Sequence, residues 1–229
     1  MNLVLRAGQG SENHPQEAWG WFLTERSSGV PFAPMARRLT QRGKERREQL
    51  MAFAAARFAE QGYHPTSVSE IVAGLGVGKG VFYWYFDSKE QLFLEILKEA
   101  QTDLRRKQQQ AIGDEEDPIK RIELGLRASM AWAEAHRDHN KLIQFAATET
   151  TFMPALLRGQ DIAVADVVKH VKEAMAQGRI RDTDPDLLAH AMVGVVGHLT
   201  RIFIYDRGEP AEGVADAAVA FCLEGLSPA

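Results

Sequence analysis

Apolar residues recur at helical spacing through most of the chain beyond residue 40. Leu50, Phe53 and Phe58 are typical of the buried stripe of a helix, which we expect from about residue 44 to 61, with Gly62 as its stop. Similar stripes predict a long helix at 88–112 and further helices at 119–136, 141–149, 153–176, 186–205 and 212–225. The pattern therefore predicts an all-α protein.

Residues 66–93 depart from this regular pattern. Thr66 and Ser67 precede an apolar repeat, and Glu70 follows Ser67 by three residues, which is the capping-box signature of a helix start. Four glycines between 74 and 80 then break the helix and permit a tight turn. The short aromatic segment 79–86 comes next, and Asp87 or Ser88 is placed to cap the long helix. This spacing predicts a helix-turn-helix.

The same stretch resembles the DNA-binding signature of the TetR family of transcriptional regulators. It differs from that signature at Gly78, where Ser is usual, at Phe82, where Leu is usual, and at Tyr85, where His is common. It matches at Thr66, Ile71, Ala73, Gly76, Val77, Gly80, Tyr83, Phe86, Lys89 and Leu92. The motif covers about 30 residues, and the resemblance extends to roughly 40–95 through the preceding helix.

The resemblance implies a domain organisation. We expect a flexible N-terminal extension over residues 1–36, and a three-helix helix-turn-helix domain over 37–88. A C-terminal helical ligand-binding and dimerisation domain would occupy 89–229. Translation starting at Met35 is a further hypothesis, because Met35-Ala-Arg-Arg is similar to the start of many family members.

Charge is divided unevenly along the chain. Residues 35–90 hold 9 basic and 6 acidic side chains, whereas residues 91–229 hold 16 basic and 22 acidic ones, so positive charge is concentrated at the motif although the whole chain carries −4. A basic domain on an acidic body suits a protein whose small domain alone faces phosphates. The single cysteine, Cys222, excludes a disulfide within the chain, and together with the absence of a secretory signal or an 18-residue apolar run it favours a cytoplasmic protein without a membrane contact.

The candidate DNA-binding residues come from two sources. The basic run at 36–49 favours phosphate contact over a merely solvated face, and from it we select Arg42, Lys44 and Arg46. The resemblance adds Thr66, Lys79, Gly80, Tyr83, Trp84, Tyr85 and Lys89, where Gly80 would allow close backbone approach, the aromatic residues would contact phosphates and thymine methyls, and Lys89 would reach a phosphate.

The resemblance also implies a small-molecule effector and a homodimer. For the effector pocket, aromatic and soft side chains on the middle helices are candidates, although ordinary core packing is the alternative for each: Trp132, His136, Phe145, Phe152 and Met153. For a dimer interface on the last two helices, the candidates are Leu188, Met192, Val195, Val196, Leu199, Phe203, Val214, Ala218 and Phe221.

Other chemistry lacks support in the sequence. The glycines at 74–80 do not have the spacing of a phosphate-binding loop, and His136 and His139 lack further metal ligands in register, so no cofactor and no metal are expected. No catalytic cluster stands out. The expected function is a repressor that binds a palindromic operator as a homodimer and is released by an effector. The alternatives are a DNA-binding protein without an effector and an all-α enzyme with an incidental helix-turn-helix.

Overall fold

All regular secondary structure that the computed structural model describes, over residues 39–224, is helical. This confirms the predicted all-α class. The helices are α1 (Gln41–Gln61), α2 (Val68–Gly74), α3 (Lys79–Tyr85), α4 (Lys89–Ile112), α5 (Pro118–Ala135), α6 (Arg137–Thr148), α7 (Met153–Ala176), α8 (Pro185–Leu199) and α9 (Ala211–Glu224). We call α1–α3 the head and α4–α9 the body. The expected extension at 1–36 and the hypothesis about Met35 lie outside the described residues.

Side-chain caps explain where α1, α2 and α4 begin. The hydroxyl of Thr40 accepts a hydrogen bond from the backbone N–H of Gly43, Ser67 accepts one from Glu70, and Ser88 accepts one from Gln91, at 3.1–3.2 Å. Each bond satisfies an N–H that the first turn would otherwise leave without a partner. Ser88, rather than Asp87, therefore caps α4.

The helix expected at 186–205 consists of two segments. α8 ends at Leu199, and the chain continues as a π-helix over Thr200–Asp206. Helical periodicity cannot distinguish the two, because one inserted residue in the turn changes the hydrogen-bonding partner and hardly changes the apolar pattern.

The core of the head continues into the body. Phe58, Phe82 and Phe93 are buried together with most apolar residues of α1–α3, and the same cluster includes Leu142 of α6 and Phe152 at the start of α7. Head and body are thus joined by packed apolar side chains, which stabilise the junction by roughly 25 cal/mol for each Å² removed from water.

A second apolar core holds the body together. It is formed by α5, α7, α8, α9 and the π-helix, with Met130, Val171, Ile204 and Ala218 fully buried. Arg137, at the start of α6, ties this core to the turn before α9, because its guanidinium donates to the carbonyl oxygens of Ile204 and Glu209.

The segment Pro185–Asp206 is apolar beyond what the body core needs. Its most apolar 18-residue window has a mean hydropathy of 1.6, yet only 28% of that window is buried within the chain. By length and composition alone it is apolar enough to cross a membrane, a test that core helices of soluble proteins also pass. Within residues 39–224 much of this segment therefore remains exposed, and exposed apolar surface of this kind is typical of interaction sites.

Candidate nucleic-acid interface

The short helix α3 separates buried from exposed aromatic residues. Phe82 and the following Phe86 are completely buried in the core of the head. Tyr83 and Trp84 are 55% and 49% exposed, and Tyr85 is half-buried with its ring edge-on to Trp84 at 4.5 Å between centroids. Two buried rings fix the helix, and two exposed rings point away from the protein. Large aromatic residues in solvent are uncommon unless a partner covers them.

The turn before α3 leaves the space in front of the helix open. Gly76 has a φ of +64°, a left-handed conformation that side chains disfavour. Gly78 caps α3 with an ordinary extended backbone and without a side-chain hydrogen bond. A Cβ atom at Gly78 or at Gly80 would meet no atom within 4 Å, so the backbone at these two positions is open to close approach.

Basic side chains line the same surface. A groove of about 450 Å³ runs between the start of α1 and α3, and its walls include Arg42, Arg46, Gly80 and Trp84. Within residues 39–224, none of the cations Arg42, Lys44, Arg46 and Lys79 has an ion-pair partner. Cations without a protein partner are available to phosphates, and an aromatic ring beside them suits a sugar or a base edge.

Arg47 belongs to the basic run but not to this surface. Its guanidinium lies 2.9 Å from the carboxylate of Glu95 and over the ring of Phe86. Arg57, farther along α1, lies 2.8 Å from Glu60. The contacts thus separate arginines that hold the fold from those that face outwards, as the sequence pattern could not.

Thr66 and Lys89 are placed differently from the prediction that they contact DNA. Thr66 is fully buried, and its hydroxyl donates to the carbonyl oxygen of Gly62 at 2.8 Å. The Lys89 ammonium donates to the carbonyl oxygens of Tyr63 and Thr66, both at 2.9 Å, and lies over the Tyr63 ring. Burial lowers the pKa of Lys89. Both residues secure the loop between α1 and α2.

The effector-pocket candidates lie in two places. Trp132 and His136 stack at 4.3 Å and line a cleft of about 330 Å³ between α1, α4, α5 and α6. Phe145 and Phe152 instead pack with Tyr63 in the aromatic cluster that joins head and body, and Met153 is half-buried at the start of α7. The structure therefore does not bring the five residues into one cavity.

The dimer candidates divide between two faces of α8 and α9. Five of them are buried in the core of the body and so do not lie on a free surface. This corrects the expectation that they form a dimer interface: Leu188, Met192, Val196, Val214 and Ala218. Val195, Leu199 and Phe203 are half-buried, and Phe221 is 69% exposed. The exposed residue Leu187, at 63%, was missed. Because these helices are apolar nearly all round, their periodicity does not indicate which face is inside.

The cleft that Trp132 and His136 line also contains residues that the sequence did not indicate. Glu48 and Met51 come from α1, and Glu99 and Asp103 come from α4. Nothing in their local sequence marks them, since they come together only through the packing of helices. Among residues 39–224, no group of three His, Cys, Asp or Glu side chains is arranged to hold a metal ion.

A capped helix, a glycine turn and a short helix with an outward aromatic and basic face define a helix-turn-helix DNA-binding protein. Comparison with known proteins shows which helix-turn-helix family the head resembles. Residues 50–96 match the family described as "Bacterial regulatory proteins, tetR family".

Relatives extend the similarity beyond the head. An uncharacterised HTH-type transcriptional regulator of Bacillus subtilis, YdgC, is 28% identical over 196 residues, which cover 83% of this chain and 97% of the relative. The HTH-type transcriptional repressor DhaR of a Mycobacterium species is 28% identical over 80% of this chain and 92% of its own length. The fold matches that of the fatty acid degradation regulator FadR of Bacillus halodurans with a TM-score of 0.71 and 17% identity, over 79% of this chain and 96% of the other.

Residues 50–96 thus form a DNA-binding head of the TetR type, and the chain is similar to HTH-type transcriptional regulators along most of its length.

Proposed function

We propose that the protein is a homodimeric repressor that binds a palindromic operator and releases it when a small molecule binds. The observation that carries this proposal is the outward face of α3, where Tyr83 and Trp84 are exposed and Trp84 lies beside Arg42 and Arg46, which have no ion-pair partner among residues 39–224. Arg42, Lys44, Arg46 and Lys79 would bind phosphates, while Tyr83 and Trp84 would contact base edges in the major groove.

The dimer is supported by the uncovered apolar face of α8 and α9. Phe221 stands beside a groove of about 490 Å³, which Gly194, Val195 and Leu199 help to line. A Cβ at Gly194 would meet no atom within 4 Å, so another helix can approach closely there. In a two-fold dimer, the Phe221 ring of each copy would fill the groove of the other.

The palindrome follows from the dimer. Two heads related by a two-fold axis read the same sequence in opposite directions, with half-site centres about 34–36 Å apart on one face of the duplex. The repressor role is supported by DhaR, a repressor similar along most of both chains. Release by an effector is supported by the cleft beside Trp132, which α1 of the head and three body elements line together.

The proposal is tested first by selection from a random duplex library at low salt. We expect inverted repeats to be enriched, because each dimer offers two identical recognition helices. Recovery of sequences without dyad symmetry would contradict the proposed dimeric operator complex.

Variants of the protein, titrated with the selected operator, then test the proposed DNA-binding surface. Tyr83→Ala should weaken operator binding at least about tenfold, and Arg42→Ala should lower the salt slope by about 0.9 for each phosphate that the protein no longer binds. Arg57→Ala is the matched control, because Arg57 is on the same helix but pairs with Glu60 and Glu70. If Arg57→Ala lowers the slope as much as Arg42→Ala, the phosphate-binding surface is misplaced.

A further inference from the structure

The cleft between α1 and the body has walls of two kinds. Its apolar part is formed by Met51, Ala55, Ile96 and Ala100 and by the indole of Trp132. Its volume of about 330 Å³ lies at the lower end of the range for small-molecule sites. An apolar ligand part of modest size therefore fits between the head helix and α5.

The charged part of the cleft is acidic. Glu48 of α1 and Glu99 of α4 line it, and within residues 39–224 neither carboxylate has a hydrogen-bond or ion-pair partner. Asp103 adds a third carboxylate, and the hydrogen bond from the Trp132 indole N–H at 2.8 Å, together with Arg106, lowers the pKa of Asp103, so that it stays ionised.

Arg106 forms an ion pair with Asp103 and offsets its charge, whereas no cation of residues 39–224 pairs with Glu48 or Glu99. Among residues 39–224, Arg47 is the one lysine or arginine that lines the cleft, and it is paired with Glu95 outside the cleft. Burial, followed by the charge of His136, lowers the pKa of His139, so this imidazole is neutral at pH 7. The cleft thus combines an aromatic and apolar interior with two carboxylates that have no ion-pair or hydrogen-bond partner among residues 39–224.

We propose that this cleft binds an organic cation with an apolar body, and that this cation is the effector that releases DNA. This inference rests on the proposed function. A cation is favoured because it would pair with the exposed carboxylates of Glu48 and Glu99 and contact the ring of Trp132, whereas an anion would be repelled by both carboxylates. The ligand contacts α1 of the head and α4–α6 of the body at once, so its affinity depends on how the head is held.

Binding is measured by titration calorimetry without DNA, with two probes of nearly the same shape and opposite charge. Tetraphenylphosphonium should bind at least about tenfold more tightly than tetraphenylborate. Equal or reversed affinities would overturn the cation assignment. Because this measurement needs no operator, its result does not depend on the proposed function.

Variants locate the site. The double variant Glu48→Gln with Glu99→Gln removes both charges without changing shape, and it should weaken tetraphenylphosphonium binding at least about tenfold while leaving operator affinity unchanged. The matched control is Glu60→Gln with Glu116→Gln, which removes two exposed carboxylates outside the cleft. Equal decreases in affinity in both variants would show non-specific attraction and refute the site.

Regulation is measured last. Saturating tetraphenylphosphonium should weaken operator binding at least about fivefold in the natural chain and not in the Glu48/Glu99 variant. An unchanged operator affinity with a filled cleft would refute the effector role. If the protein binds the cation but no DNA duplex, the proposed function is refuted, whereas the cation-binding site is still supported.

Discussion

Single residues of the motif have two different roles. Some are exposed where DNA would bind, and others stabilise the head. Tyr83 and Trp84 are exposed, whereas Thr66 and Lys89 turn inwards to carbonyl oxygens of the α1–α2 loop. A motif derived from sequence groups these four residues because they lie close together in the chain. Their chemistry separates them, since an ammonium in contact with buried carbonyls contributes to stability and is not free to bind a phosphate.

Replacing Lys89 by Met should therefore destabilise the protein by about 2–3 kcal/mol, because the carbonyls of Tyr63, His64 and Thr66 lose a charged donor. Thermal unfolding should show the melting temperature falling by roughly 4–12 °C. Lys98→Met, an exposed position on the same helix, should leave the melting temperature nearly unchanged. A Lys89 variant of normal stability whose salt slope for DNA drops by about 0.9 would instead identify a phosphate contact.

Substitutions at two glycines of the turn should change the stability of the protein in opposite directions. Gly76→Ala should destabilise the chain by about 1–2 kcal/mol, because Gly76 has a left-handed backbone. Gly78→Ser should stabilise it by a few tenths of a kcal/mol, because the serine hydroxyl can cap α3 where no side chain does so now. Urea unfolding measures both changes in the free energy of unfolding. A Gly76→Ala variant as stable as the natural chain would mean that the turn adopts another conformation.

At the scale of elements, α8 and α9 carry apolar residues that the rest of residues 39–224 leaves exposed. Buried residues such as Met192 and Ala218 face the body core, while Leu187 and Phe221 face outwards. The same two helices therefore serve the fold on one side and, in our proposal, the dimer on the other.

Placing charges on the outer face should separate the dimer. Leu187→Glu with Phe221→Glu should raise the dimer dissociation constant at least about a hundredfold, because two large exposed anchors would become buried carboxylates without partners. Sedimentation equilibrium measures this constant. The control is Leu157→Glu with Ile162→Glu on α7, where Leu157 is 52% exposed but lies on another helix. A monomeric control variant would place the interface on α7.

At the scale of the whole molecule, the proposed function depends on the fixed separation of two heads. The head is held on the body by one continuous core that includes Phe93, Leu142 and Phe152. Because this junction is packed, movement of the body is transmitted to the head rather than absorbed by a linker.

Half-site spacing tests this rigidity. Inserting five base pairs between the half-sites of the selected operator rotates one of them by about half a turn, so both heads cannot bind together. We expect operator affinity in a mobility-shift titration to fall at least about a hundredfold, and an insertion of ten base pairs to lower it as well, because the heads are held at one distance. Unchanged affinity with five extra base pairs would show heads that move independently of each other.

The sequence by itself determined the helices and the helix-turn-helix. Apolar spacing, the caps Ser67 and Ser88 and the glycines of the turn act within a few residues, so they can be read without the fold. The exposure of Tyr83 and Trp84 agrees with their place among the expected DNA contacts, whereas Tyr85 of the same set is half-buried.

Only the tertiary structure decided which faces are buried and which distant residues meet. Lys89 reaches carbonyls more than 20 residues earlier in the chain, and the acidic cleft collects Glu48, Glu99 and Trp132 from three helices. On α8 and α9, apolar residues lie nearly all round each helix, so packing against α5 and α7 alone determines which side stays exposed. Local periodicity carries no information about such contacts, because they depend on how whole helices are arranged in space.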